Sequence, residues 1–299
     1  GKLDDILSQS NKISKSIGQL FAQKKIEEAN QLKAQTAELK AQSHSLSEAM
    51  KPKTNIAVDF SIIIPAYNEQ NYIGAVLERL FNAIAEIENL TGEVIVVDNN
   101  CSDQTAILAK EKGARVVFEP INQISRARNA GACVARGKYL FFVDADTQIS
   151  NELILLSLQR LEGGECGGGG STVVFDSNQN QFFFGSFMPY FWSWISKTFK
   201  LAAGSFIFCD KKTFFEAGCF SEKLFAGEEI LFSINYKKRC KKKSLTFEIV
   251  EDFPVVTSSR KLDWFNPLQI LITILMPLFF PWVLRSKKFC SFWYRRPVN

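Results

Sequence analysis

Between residues 58 and 149, short apolar runs alternate with amphipathic stretches, and this alternation restricts the possible folds more than any other feature of the chain. Residues 58–64, 93–97, 114–119 and 139–143 read as strands, because they are too short for helices and rich in Val, Ile and Phe. Between them, residues 71–88, 103–112 and 125–135 carry helical spacing. Strands joined by helices of this length pair in parallel with right-handed crossovers. The expected product is an α/β fold, a doubly wound and mostly parallel sheet. Such sheets bind ligands beyond the carboxyl ends of their strands.

Three of those ends carry polar residues: Asn68 and Glu69, then Asp98, then Asp144 and Asp146. A buried strand has no use for charge, so the last pair belongs where the strand emerges. Side chains two apart on extended backbone point the same way, which makes Asp144-Ala145-Asp146 a pincer for one divalent cation. Oxygen ligands select hard ions such as Mg²⁺ or Mn²⁺. The alternative for this tripeptide is structural, with Asp144 ending a strand and Asp146 opening a turn or capping the helix near Asn151.

Composition removes other chemistries. The single histidine, His44, lies in the polar N-terminal region, so the main body has no Ser-His or Cys-His nucleophile pair and no His-rich metal site. Acid, base and metal work must fall to carboxylates. The seven cysteines are scattered, never CxxC, and read as free thiols of a reducing cytosol. Net charge is only +5, and the residues after Leu284 contribute five positive charges without an acid, so no general field for nucleic acid is indicated.

The segments FSIIIPAYNE, VIVVDNNCSDQT and SRARNAGACVARGKYLFFVDAD, in this order and spacing, resemble a family 2 glycosyltransferase of GT-A fold over about residues 58–262. The resemblance implies a nucleotide-sugar donor and a carbohydrate or lipid acceptor. It implies that Pro65, Ala66, Tyr67, Asn68, Glu69 and Asp98 hold the base and ribose. Asp144, Ala145 and Asp146 correspond to the family's DXD motif, with Asp144 and Asp146 on a Mn²⁺ or Mg²⁺ ion that bridges the diphosphate. A cation there would stabilise the charge that develops on the leaving group. Arg128, and less so Arg126, is a candidate for the diphosphate. Further on, Phe225-Ala-Gly-Glu-Glu229 resembles the family's second acidic motif, with Glu229 at the catalytic base position and Glu228 beside it. Glu in place of the usual Asp lengthens that side chain by one methylene; both residues also suit a helix N-terminus. A base favours a hydroxyl acceptor, since a phosphate arrives ionised.

The run GGECGGGG at residues 163–170 reads as a tight turn before a strand at 171–175, and residues 204–210 as another strand. The aromatic-dense residues 182–199 suit either a core helix or an acceptor groove or membrane-facing patch. Residues 237–243 hold six basic residues in seven, the pattern of a solvated helix end or an anionic-lipid contact. Arg260 is placed to reach the diphosphate or to flank the hydrophobic stretch after it. Residues 264–284 are uncharged and long enough to span a bilayer, although Pro267, Pro277 and Pro281 interrupt them. A spanning helix, a surface-lying anchor and a core helix all remain open, and the first two place the enzyme at a membrane. With no cleavable signal ahead of the catalytic region, the expected location is the cytosolic face.

Residues 1–53 differ from the rest, being polar with Leu and Ile at heptad-like spacing, and read as a helical hairpin. NKISKSIGQLF and EEANQLKAQTAELKAQ resemble the tRNA-binding coiled-coil arm of seryl-tRNA synthetase, matched over about 50 residues with no synthetase catalytic domain after it. The arm is therefore read as a fusion. The expected domains are 1–53, 54–262 and a hydrophobic, basic tail at 263–299. Two rival functions stay open: an RNA- or partner-binding scaffold using the arm, and a nucleotidyltransferase on a similar sheet. The second lacks the usual glycine-rich phosphate loop, since PAYNEQ stands in its place.

Overall fold

The structure, a computed structural model, describes residues 57–176, 201–260 and 280–294, with isolated positions at 5, 8, 9, 12, 269, 272 and 276. The chain divides into two compact units, Gly1–Ile56 and Ala57–Asn299. In the first, only those four isolated positions are described, and they are helical. The expected hairpin and the synthetase-like arm otherwise lie outside the described residues, as do the aromatic stretch 182–199 and nearly all of 264–279.

The second unit is a mixed α/β sheet. In chain order it contains β1 (Phe60–Ala66), α1 (Ile73–Ala85), β2 (Gly92–Asp98), α2 (Thr105–Glu111), β3 (Arg115–Phe118), α3 (Ile124–Val134), β4 (Tyr139–Val143) and β5 (Thr147–Gln148). After these come α4 (Asn151–Glu162), β6 (Cys166–Phe175), β7 (Phe206–Asp210), α5 (Lys211–Glu216), α6 (Glu228–Lys242) and β8 (Thr246–Thr257). A 3₁₀ turn (Pro281–Arg285) and a last short helix, α7 (Ser291–Tyr294), complete the described part. The sheet order is β3-β2-β1-β4-β7-β6-β8-β5.

Alternation along the strands builds a core on each face. Phe60, Ile62, Ile64 and Phe141 point to the side covered by α1 and α4, where Leu77, Leu80, Leu153 and Leu158 meet them. Ile63, Ile95, Val97 and Phe142 point to the other side, against Ala127 and Ala132 of α3 and the aromatic cluster Phe214, Phe220, Phe232 and Tyr236. Because both faces are buried, these strands read as unbroken apolar runs.

The parallel half β3-β2-β1-β4 matches the expectation, whereas the second half does not. β7 runs antiparallel to both β4 and β6, β6 pairs in parallel with β8, and β5 is antiparallel to β8. The reversal has a topological cause: β6 ends at the carboxyl edge of β4, and β7 starts from that same edge, with Val143 opposite Phe206. The glycine run is a second correction. Only Gly163 and Gly164 form the turn, and Cys166 to Gly170 are interior strand. A Cβ on Gly169 would lie 2.0 Å from the Glu248 carbonyl and 2.8 Å from the Phe208 ring. Glycine here admits β6 between β7 and β8.

The C-terminal stretch is described only in part, with most of residues 264–279 outside the described residues. No helix among the described residues is long and apolar enough to cross a membrane. The described end of the uncharged run is the 3₁₀ turn, in which Val283 is buried. Tyr294 of the last short helix is 8% exposed.

Candidate functional site

The carboxyl edge of β1, β2 and β4 forms the floor of a cleft of about 190 Å³. From β1 and the loop after it come Pro65, Ala66, Tyr67 and Glu69; the β4 end supplies Asp144, Ala145 and Asp146. Arg128 enters from α3, Gly204 and Ser205 from the start of β7, and Glu228 and Glu229 from the first turn of α6. Residues from elements far apart in sequence thus meet at one sheet edge.

Two arginines organise these acids. Arg128, 2% exposed, donates through Nη1 to Glu228 Oε1 at 2.9 Å and through Nη2 to Asp144 Oδ1 at 3.0 Å and the Gly204 carbonyl at 2.8 Å. Burial works against its charge, but Asp144, Glu228 and Glu229 outweigh it and raise its pKa. Gly204 is needed for this approach, since a Cβ there would come within 2.9 Å of Arg128 Nη2. Arg260, beyond β8, pairs with Glu69 and, at 3.0 Å, with Asp146 Oδ2, while its guanidinium lies 4.0 Å from the centre of the Tyr72 ring. Glu69 and Asp146 are themselves buried, at 4% and 8% exposure.

The two glutamates of α6 differ. Glu228 is buried and spent on Arg128, its carboxyl pushed up by burial against the pull of that arginine. Glu229 is half-buried, and burial together with the charge of Glu228 pushes its carboxyl up to about 8. Gly227 starts the helix at φ 71°, the left-handed region that glycine enters freely.

Other expected residues occupy supporting positions. Asp98 ends β2, where its Oδ1 accepts from the Cys101 N–H at 2.8 Å, and Asn99 beside it lines the cleft. Asn68, at φ 53°, accepts from the Ser102 N–H at 2.9 Å and so locks the β1 and β2 loops together. Arg126 pairs with Glu222 on the outside. All seven cysteines are free thiols. The sequence reading missed Asn122, Ile124, Ser205, Phe292 and Tyr294 in the lining. The Ser205 hydroxyl is buried without a protein partner. Of these, only Ser205 had a usable signal, a small polar residue directly before an apolar strand.

Asp144 and Asp146 are hard oxygen donors side by side in the cleft, a donor chemistry that fits Mg²⁺ or Mn²⁺. Among the described residues no group of three His, Cys, Asp or Glu forms a ready-made metal cluster. Instead each aspartate is engaged by an arginine, so a cation would compete with Arg260 for Asp146.

Comparison with known proteins agrees with this architecture. Minor teichoic acid biosynthesis protein GgaB of Bacillus subtilis is 32% identical over 98 residues, 31% of this chain and 11% of that protein. A glycosyltransferase of Haemophilus influenzae is 33% identical over 98 residues, 31% of this chain and 38% of its own. The matched segments therefore span well under two thirds of either relative. Among solved structures, S. aureus TarS 1–349 in complex with UDP-GlcNAc has a TM-score of 0.53 at 20% identity, covering 77% of this chain and 67% of that one. The mannosyltransferase PcManGT of Pyrobaculum calidifontis, in complex with GDP-Man and Mn²⁺, has a TM-score of 0.54 at 14% identity, covering 85% and 71%. At such identities the structural likeness speaks for the fold. The model of glycosyl transferase family 2 matches residues 61–221, more than half of the 299 residues. The chain belongs to glycosyl transferase family 2 and carries that family's glycosyltransferase domain.

Proposed function

We propose that this protein transfers a sugar from a nucleotide-sugar donor to a hydroxyl acceptor, with inversion at the anomeric carbon. The observation that carries the reading is the meeting of Asp144, Asp146, Arg128 and Glu229 in one cleft at the carboxyl edge of the parallel strands. The residues at the end of β1 and Asn99 would line the nucleoside side, with Asp98 holding their loop. Asp144 and Asp146 would hold Mn²⁺ or Mg²⁺, which when bound supplies positive charge for the departing diphosphate. Arg260 is placed to move from Asp146 to that diphosphate, since a bidentate guanidinium suits phosphate as well as carboxylate.

Glu229 takes the acceptor's proton. Its half-buried carboxyl lines the cleft, whereas Glu228 is committed to Arg128 and holds it in place. A raised carboxyl pKa brings a base close to working pH, where proton transfer is efficient. The requirement for a base favours a sugar or lipid hydroxyl over a phosphate acceptor.

A membrane surface is the proposed setting, on its cytosolic face. In its favour, Phe280, Trp282 and Phe289 are exposed beside Arg285, Lys287 and Lys288, and α6 ends in a run of lysines. Flotation with vesicles containing anionic lipid checks this part. The test of the whole is release of nucleotide from UDP- and GDP-sugars, with Mn²⁺ and with a chelator. Donor-dependent release lost in Asp146→Ala is the expected result, and full activity of that variant removes the metal assignment.

A further inference from the structure

Residues 281–294 lie beyond the segment matched by the family, yet Phe292 and Tyr294 line the cleft. They also hold the loop that leads into Glu228 and Glu229. The Phe225 N–H donates to the Leu284 carbonyl at 2.7 Å, and the Phe225 and Tyr294 rings meet edge to face, 5.8 Å between centres. Ala226, Cys290 and Tyr294 form a small closed cluster, flanked by Ile124, Phe225 and Leu284. On its far side the Tyr294 hydroxyl accepts from the Ile124 N–H at 3.3 Å, in the first turn of α3. Gln123 adds two bonds of 2.8 Å to the carbonyls of Glu222 and Leu224.

We propose that Tyr294 is a positioning residue for Glu229, clamping residues 225–227 against the start of α3. The inference rests on the reading of Glu229 as the base. Gly227 offers no side chain to cap α6, so the direction of that helix's first turn depends on the support beneath its loop. Tyr294 is the ring beneath that loop, packed on Phe225 and joined to α3 through the Ile124 N–H. A base must come within about 2.6–3.2 Å of the proton it takes, and a displacement of about 1 Å costs on the order of 10²-fold in rate.

The test uses the full chain, with UDP-GlcNAc and, if that is not turned over, GDP-mannose as probe, and water as acceptor. Tyr294→Ala should lower nucleotide release at saturating donor by about 10- to 100-fold, with donor KM within about twofold. Tyr294→Phe, which keeps the ring, should recover to within about threefold, the worth of one weak hydrogen bond. Adding Tyr294→Ala to Glu229→Gln should slow the reaction no further, because both act through one group. Hydrogen exchange supplies an arm independent of turnover: Tyr294→Ala should expose the amides of Ile124 and Phe225, and Tyr294→Phe that of Ile124 alone. If Glu229→Gln is inactive and Tyr294→Ala is fully active, the clamp is overturned and the base stands. An active Glu229→Gln overturns the base and the clamp with it. Unchanged exchange in Tyr294→Ala overturns the clamp even if neither probe is turned over.

Discussion

Arg260 sits on Asp146, Nη2 3.0 Å from Oδ2, so the second aspartate of Asp144-Ala145-Asp146 is held by a cation from the chain itself. The same guanidinium pairs with Glu69, and all three side chains are at most 12% exposed. Removing one partner of a buried pair leaves uncompensated charge, at a cost of about 3–5 kcal/mol. Arg260→Ala should therefore lower thermal stability. Mn²⁺ should raise the Tm of this variant more than that of the unmodified protein, since a metal ion at Asp146 no longer has to displace an arginine. Equal metal shifts in a calorimeter would count against competition at this residue.

Arg128 is tested through its neighbour. Gly204→Ala puts a methyl 2.9 Å from a guanidinium pinned by Glu228 and Asp144, so it cannot simply turn aside. Crowding of this kind costs about 1–3 kcal/mol. Urea unfolding should show that loss, with a parallel fall in donor binding.

The pH dependence comes from Glu229. The residue accepts a proton only as carboxylate, and its carboxyl is pushed up to about 8, so turnover should rise with pH and level off above that value. Stability runs the other way. A carboxyl raised in the fold favours the protonated form, so its stabilising effect is complete below the ordinary value of 4.5 and is lost as pH rises through about 8. Glu229→Gln should remove that loss and gain more in Tm at pH 8.5 than at pH 5, while binding donor normally and transferring slowly. A pH-rate profile and two melting curves check both signs.

Ser205 offers a smaller prediction. Its hydroxyl is buried in the cleft without a protein partner, so Ser205→Ala should leave the unliganded protein as stable or slightly more stable. If the hydroxyl meets the donor, donor affinity falls by about 0.5–1.5 kcal/mol. Calorimetric titration with UDP and Mn²⁺ separates the two effects.

Local pattern was enough for the parallel half of the sheet. β4 spans Tyr139–Val143, as its apolar run implies, and α3 lies within a residue of its expected ends. Where local pattern misled, long-range packing was the cause. Glycine ordinarily weakens strands, so Cys166 to Gly170 looked like a turn, and only the closeness of the Glu248 backbone accounts for strand there. Asp98 stands at the expected strand end, and the bond its Oδ1 accepts from the Cys101 amide is invisible in the order of residues.

Residue type and near-neighbour spacing were sufficient for the family and for the strand ends that bear acids. The pairing of those acids came only with folding. Arg128 reaches 100 residues along the chain to bind Glu228 and leaves Glu229 facing the cleft, and Arg260 reaches back 191 residues to Glu69. Tyr294, 170 residues from Ile124, becomes part of the active-site wall. The value of a buried charge is fixed by the partner that folding brings to it, and no local pattern contains that partner.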